Sequence, residues 1–284
     1  WLDGACGEGP NGKKQVYNWE RYYACVRKYQ PDACICVCGP DIRWCGNEAG
    51  DVRKSEWSVV PARTALAESV QERSQQTDDK EFRMRRITSD MEDLGSRRAL
   101  EGETNLIWYP AEVNTSIRPG WFYHPEEDDR VKTADALTDL YYRSVGHNAT
   151  LLLNFPVDRD GLIHPTDSAN AVNFHQNVQK QLAHNLLAGL SPKASDERGK
   201  TFSAKAVTDG EYDTYWATND GVNSATIEFD LPQTEKINRM MLQEYIPLGQ
   251  RVKSFVVEYN QEGEWLPVKL NEETTTIGYK RLLR

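Results

Sequence analysis

The chain has 284 residues, of which 39% are hydrophobic and 27% charged, with a formal net charge of -9. That length suggests one large or two medium domains, and that composition suits a soluble globular protein. The acidic balance argues against nucleic acid as the main partner, because phosphate binding needs clustered Lys and Arg. Basic clusters such as Arg83-Met84-Arg85-Arg86 are interrupted by acids and read as solvated surface. No run approaches the roughly 18 apolar residues of a membrane-spanning helix.

The chain opens on Trp1-Leu2-Asp3-Gly4-Ala5, in mid-pattern, and we read it as a fragment of a longer protein. Residues 18–29 carry apolar positions at helical spacing, with Asn18 as N-cap and Pro31-Asp32 as the break. Residues 33–38 predict an apolar strand in which Cys34, Cys36 and Cys38 project to one face. All six Cys lie in the first 45 residues. Their spacing is not that of a zinc knuckle. They read as small thiols filling apolar positions, and they do not decide the redox compartment. A short strand is expected near Trp57-Ser58-Val59-Val60. Residues 62–104 are polar and charge-rich, and predict a long, partly helical insertion on the loop face.

Leu106-Ile107-Trp108-Tyr109 is the next expected strand. Residues 130–146 predict an amphipathic helix with Val131, Ala134, Leu137 and Tyr141 on one face. A buried strand over Leu151–Phe155 and a long helix over 167–187 follow. Strand–helix alternation with continuous apolar strands implies a parallel sheet covered by helices. After Gly189 the segments become short and β-like: 225–231, 239–245 and 254–259, with turns such as Asp209-Gly210 and Glu262-Gly263. These predict an antiparallel β-sandwich. The fold class is therefore α/β then all-β. The expected domains are 1–190 and 191–284, with the boundary in residues 189–196.

Asp3 and Glu48 carry the chemistry. Each lies just past an apolar, strand-like run and is flanked by Trp and Gly. Two carboxylates at the ends of neighbouring strands are what a glycosidase needs. One stays ionised at the anomeric carbon, and the other holds a proton for the leaving oxygen. Read without context, both are ordinary loop acids. Richness in aromatics, with 8 Trp and 13 Tyr, suits either sugar stacking or a plain core.

Trp1-Leu2-Asp3-Gly4-Ala5 resembles the nucleophile motif of the α-L-fucosidases of glycoside hydrolase family 29. Residues 39–50, Gly-Pro-Asp-Ile-Arg-Trp-Cys-Gly-Asn-Glu-Ala-Gly, are similar to the acid/base segment of the branch that prefers α1,3/4-linked fucose. The likeness continues through residues 108–112, 116–124 and 146–154, and so covers essentially the whole first domain. It implies a partial (β/α)8-like barrel whose active site lies at the C-terminal ends of the strands. It also implies a retaining mechanism: Asp3 is the nucleophile, and Glu48 the acid and then the base. Their carboxyls should then be about 5–5.5 Å apart.

By the same resemblance Trp1 packs near the fucose ring. Arg43 bonds a sugar hydroxyl or holds Asp3 ionised, with a structural salt bridge as the alternative. Trp121 stacks on a ring, and Glu112 and His124 lie nearby with less weight. The family's upstream histidines have no counterpart here, and the fragment alone is expected to be inactive and poorly soluble.

The second domain resembles a discoidin-like, coagulation-factor type C sandwich, a truncated one, on the strength of residues 206–218. Such modules often bind galactose-type sugars and hold a structural calcium. Asp209, Asp213 and Thr214 offer oxygen ligands for it, or form an Asx turn. Catalysis needs no cofactor.

The expected partners are fucosylated oligosaccharides or glycoconjugates, and the expected location is the periplasm or cell exterior. The alternatives are a non-catalytic carbohydrate-binding protein on the same scaffold and another retaining exo-glycosidase. Asn114-Thr115-Ser116 and Asn148-Ala149-Thr150 fit the glycosylation sequon.

Overall fold

A computed structural model describes residues 1–3, 15–53, 56–65, 98–271 and 274–284. Helix α1 (Trp19–Tyr29) begins where Asn18 accepts from Arg21 N at 3.0 Å, as the sequence predicts. Trp19 is buried against Val37 and Cys38, and Leu2 and Tyr23 pack on the same cluster. Leu2 bridges Val37, and Cys36 bridges Ile42, both in parallel sense. The run continues as β1 (Arg43–Trp44).

The strand expected over 33–38 shrinks to the bridge residues Cys36 and Val37. Val37 has φ of 69°, and this left-handed residue breaks the alternation. Cys34 is therefore exposed, Cys36 half-buried and Cys38 buried, and the three thiols do not share a face. Among the described cysteines, none is joined to another by a disulfide.

Strands β2 (Val59–Pro61) and β3 (Leu106–Trp108) pair with each other in antiparallel sense. The 106–109 segment thus forms a ribbon outside the parallel sheet, a correction to the expected alternation. The insertion expected over 62–104 falls mostly outside the described residues; Ala62–Ala65 is a 3-10 turn.

Strand β4 (Ala111–Ser116) lies in the centre of the parallel sheet, between β1 and β5 (Ala149–Asn154). Its register runs from Ala111 opposite Ala149 to Ser116 opposite Asn154. All six residues of β4 are buried, although four are polar. Alternation explains this. Ala111 and Val113 pack outward with Cys45, Val52 and Ala149. Glu112, Asn114 and Ser116 face the other way.

Between β4 and β5 runs α2 (Ala134–Ser144), capped by Thr133, whose hydroxyl accepts from Ala136 N at 3.2 Å. Its buried face is Leu137, Leu140 and Ser144, rotated from the expected stripe; Tyr141 is half-buried. Leu137 and Leu140 close over Ile117 and Val131, with Leu151, Leu153, Phe155 and Phe174 packed around them. Each such leucine contributes about 1.5–3 kcal/mol by burial. Helix α3 (Pro165–Leu182) follows β5 and packs on α2.

The C-terminal module is a set of short antiparallel pairs. Strand β6 (Lys193–Ala194) pairs with β7 (Ile227–Glu228), and β8 (Met240–Leu242) with β11 (Arg281–Leu283). Strands β9 (Glu258–Gln261) and β10 (Glu264–Pro267) form the hairpin expected at Glu262-Gly263, where both turn residues have positive φ.

Strand β11 docks the module onto the parallel sheet. Leu282 N donates to Gly146 O at 3.0 Å, and Leu282 and Leu283 are buried. A buried polar network completes the contact. Gln250 accepts from Ser58 N at 2.8 Å and donates to Glu56 O at 3.2 Å. Asn148 donates to Glu56 O at 2.7 Å and accepts from Tyr279 N at 2.8 Å. Asn114 and Asn148 are both buried and hydrogen-bonded, so neither sequon presents an accessible acceptor.

Candidate active site

Asp3 follows the bridge residue Leu2 and Glu48 follows β1, two segments of one parallel series whose C-terminal ends form the rim. Trp1 and Asp3 flank Leu2 on an extended segment, so their side chains share a face while Leu2 turns to the Trp19 cluster. Trp1 Nε1 donates to Glu112 Oε1 at 2.6 Å, which identifies that face as the one β4 presents with Glu112, Asn114 and Ser116. Trp44, from β1, joins it: its Nε1 donates to Asn114 Oδ1 at 2.7 Å. Asp3 is exposed on this face, and Trp1 is 49% exposed.

Glu48 lies four residues past β1, in a loop shaped by Asn47 and two glycines. Asn47 is fully buried. Its Oδ1 accepts from Ala49 N at 3.0 Å and Asp51 N at 3.2 Å, and its Nδ2 donates to Asp51 O at 2.8 Å. Gly46 and Gly50 sit at φ of 88° and 77°, which side-chain-bearing residues rarely adopt. A Cβ on Gly50 would also lie 2.2 Å from Leu140 Cδ1. The loop is further tied to α2 by the ion pair of Asp51 with Arg143. Glu48 is thereby held half-buried, and its Oε2 accepts from Trp121 Nε1 at 2.9 Å.

Trp121 comes from the segment after β4. That segment is fixed at its base by Arg118, whose side chain is fully buried. Arg118 Nε and Nη2 donate to Asp167 Oδ2 and Oδ1, both at 2.8 Å, and Nη2 also pairs with Asp128 at 2.9 Å. The guanidinium lies 4.6 Å from the Tyr123 ring centroid. Asn154, at the end of β5, donates to Ser116 Oγ at 3.1 Å and to Trp121 O at 3.2 Å. Trp121 is therefore a hydrogen-bond partner of Glu48 carried on a braced loop.

Arg43 makes the salt bridge that was the alternative of its two expected roles. Its side chain is 4% exposed and lies on the opposite face of β1 from Trp44. It donates through Nη2 to Glu56 Oε2 and Trp57 O, both at 2.8 Å, and through Nε to Tyr109 O at 3.0 Å. Glu56 also accepts from Arg53 N at 2.9 Å. Arg43 thus forms a buried structural ion pair with Glu56. His124 is exposed, beside Glu126.

Glu112 stands out beyond its expected weight. It is 3% exposed, and it accepts from Trp1 Nε1 at 2.6 Å. Burial pushes its carboxyl above the ordinary carboxylate range, and the Trp1 indole N–H counters only part of that rise. Burial, then the neighbouring Glu112 charge, pushes the Cys36 thiol up to about 11. Sequence spacing gives little sign of these neighbours, because Trp1, Cys36 and Glu112 are 35, 76 and 111 positions apart.

In the C-terminal module, Asp209 Oδ1 accepts from Glu211 N at 2.9 Å and Oδ2 from Thr214 Oγ1 at 2.6 Å. These are the bonds of an Asx turn. The Thr214 hydroxyl, then the Glu211 amide, lowers the Asp209 carboxyl below its usual range. Among the described residues, no group of three or more His, Cys, Asp and Glu side chains could hold a metal. Among the same residues, no helix is long and apolar enough to cross a membrane.

Residues 191–282 match the F5/8 type C domain family. Two plant proteins are similar along the entire chain. One, from Oryza sativa subsp. japonica, is 35% identical over 289 residues, which cover 50% of its length. The other, Alpha-L-fucosidase 1 of Arabidopsis thaliana, is 33% identical over 291 residues, 51% of its length. The chain thus spans about half the length of the curated relatives it matches. Among solved structures, the GH29 fucosidase of Ruminococcus gnavus in complex with fucose superposes with a TM-score of 0.76 at 27% identity. The match covers 99% of this chain and 54% of that one. Along its whole length the chain is thus similar to α-L-fucosidases, and its described residues form an α/β unit followed by the segment that matches the F5/8 type C domain.

Proposed function

We propose that the protein is an exo-α-L-fucosidase that removes terminal α1,3/4-linked fucose from Lewis-type glycans with retention of configuration. The observation that carries the proposal is the rim itself. Asp3 and Glu48 follow separate strands of one parallel series, and Trp121 Nε1 holds Glu48 Oε2 at 2.9 Å. A retaining glycosidase needs this pairing of a nucleophile with a positioned acid.

In the proposed mechanism the Asp3 carboxylate attacks the anomeric carbon of fucose. Glu48 gives its proton to the departing glycosidic oxygen as that bond breaks. A fucosyl ester on Asp3 results. Glu48, now ionised, takes a proton from water, whose oxygen attacks the same carbon and frees Asp3. Trp1 and Trp121 flank the two carboxylates, and their faces suit the apolar side of a sugar ring.

The Lewis-type substrate and the linkage rest on the likeness of residues 39–50 to the α1,3/4-preferring branch. A site in the periplasm or outside the cell, where such glycans are met, belongs to the same proposal. The test is fucose release by the full-length protein from a Lewis-type trisaccharide, beside an α1,2-linked fucoside. Release from the first alone supports the substrate assignment. Preference for the α1,2 linkage removes it, and release from neither removes the activity for these substrates.

A further inference from the structure

We propose that Asn154 is a positioning residue for the acid step: its side-chain amide clasps the carbonyl of Trp121 and, through the Trp121 indole, sets the direction of Glu48. The inference rests on the proposed assignment of Glu48 as acid/base. It deepens that assignment by naming a residue that acts through Trp121 and not on the reacting atoms.

The bonds carry the argument. Asn154 closes β5, opposite Ser116, the last residue of β4. Residues opposed in register project to the same face, so its side chain stands with Ser116 on the site side. Leu151, Leu153 and Phe155, which alternate with it, pack on the other side with Leu137 and Leu140 of α2. The backbone O of Asn154 accepts from Ile117 N at 3.0 Å. Its Nδ2 donates to Ser116 Oγ at 3.1 Å and to Trp121 O at 3.2 Å. A carbonyl only accepts, so the nitrogen and not the oxygen of the amide faces Trp121, and both Nδ2 hydrogens are used. One residue at the end of β5 thus holds both ends of the turn that leads from β4 to Trp121.

Trp121 Nε1 in turn donates to Glu48 Oε2 at 2.9 Å. An indole turns about two side-chain bonds, so the direction of its N–H follows from where the backbone of residue 121 is held. Arg118 fixes the segment three residues earlier, through its bonds to Asp167 at 2.8 Å. Gly120, between them, has no side chain with which to add an anchor. The amide of Asn154 acts on Trp121 itself. Capping the sheet needs only the bonds to Ile117 and Ser116. The bond to Trp121 O reaches past the sheet, to the residue that binds Glu48. A general acid works when its proton lies along the bond it serves, so this clasp has a kinetic reading.

The experiment compares, in the full-length protein, two substrates that differ in their need for an acid. The alcohol leaving a Lewis-type trisaccharide takes a proton from Glu48 as its bond to fucose breaks. From α-L-fucosyl fluoride the leaving group departs as a stable anion without one. On both, kcat/KM reports the steps up to the fucosyl ester. We expect Asn154→Ala to lower kcat/KM by about tenfold or more on the trisaccharide and by no more than about threefold on the fluoride. With fluorotryptophan incorporated, the Trp121 fluorine resonance, assigned by its loss in Trp121→Phe, should move in Asn154→Ala.

Equal losses on the two substrates overturn the proposal, because a merely structural role damages both. An unchanged rate on the trisaccharide overturns it too, as does an unmoved Trp121 resonance. Should Asn154→Ala not fold, Asn154→Leu, close in size and without a donor, takes its place. In a Trp121→Phe background either change should cost nothing further on the trisaccharide, and a further loss of about tenfold there overturns the proposal. If the unaltered protein cleaves neither substrate while the Trp121 resonance responds to Asn154→Ala, the fucosidase assignment fails and the clasp on Trp121 stands.

Discussion

Removing the charge of Glu56 should unfold this protein far more readily than any surface change. Glu56 is 0% exposed, and its carboxylate is shared between Arg43 Nη2 at 2.8 Å and the Arg53 amide at 2.9 Å, with Arg53 Nη1 at 3.2 Å. Arg43 is itself almost wholly enclosed. In Glu56→Gln the guanidinium keeps a neutral acceptor but loses its counter-charge inside the protein. Breaking one side of a buried pair costs about 3–5 kcal/mol, and retention of the acceptor puts Gln near 3. At about 2–4 °C per kcal/mol, the midpoint of thermal unfolding should fall by roughly 6–12 °C.

The pH dependence follows with a definite sign. Burial alone would raise the Glu56 carboxyl, but Arg43 and Arg53 outweigh it and hold the value below the ordinary range. A folded value below the unfolded one stabilises fully above the unfolded value, about 4.3. That contribution is lost as pH falls through the folded value. Differential scanning calorimetry of wild type and Glu56→Gln from neutral pH downward reads both effects. The difference between them should be greatest near neutrality and shrink in acid. A difference below about 1 kcal/mol at pH 7 would refute the reasoning, because no buried charge would then have been left uncompensated.

Other outcomes follow from the same geometry. Trp121→Phe keeps a ring but deletes the donor to Glu48 Oε2, and should lower kcat by roughly 10- to 100-fold, as expected for a hydrogen bond to a charged group. Steady-state kinetics on an aryl fucoside would show it. Gln250→Ala breaks bonds to Ser58 and Glu56 between the two units and one to Thr276 within the second, and should cost about 1–3 kcal/mol in urea unfolding. Gly278→Ala places a Cβ 2.2 Å from the Asn148 side chain at φ of 73°, and should lower the melting midpoint although the change is a single methyl. If Asp209, Asp213 and Thr214 hold calcium, excess calcium should raise the melting midpoint of the wild type and not that of Asp209→Ala.

What the sequence disclosed, it disclosed through local physics. Asn18 before an amphipathic run marked α1, and Glu262-Gly263 between β-like segments marked the β9–β10 hairpin. Asp3 and Glu48 were legible because each follows a strand-like run, and their family likeness supplied the roles now proposed.

Strand β4 was not legible as a strand. Glu112, Asn114, Thr115 and Ser116 carry no apolar alternation, since one face of β4 lines a polar interior rather than a hydrophobic core. Which of its two expected roles Arg43 takes was hidden for a related reason. Its face is set by β1 pairing with β4, and its partner Glu56 lies 13 positions on, across a loop whose path no local pattern predicts. The contact of Trp1 with Glu112 required distant strands in register, which a single sequence does not display.

The most direct measurement is to stall the full-length protein with a fluorinated α-L-fucosyl donor that slows breakdown of the covalent ester, then map the labelled peptide by mass spectrometry. The account predicts one fucosyl adduct, on Asp3, formed more slowly when Glu48 is changed to Gln. Turnover of an unmodified aryl α-L-fucoside with the label on another carboxylate, or with no covalent adduct, would contradict the assignment of Asp3 as nucleophile.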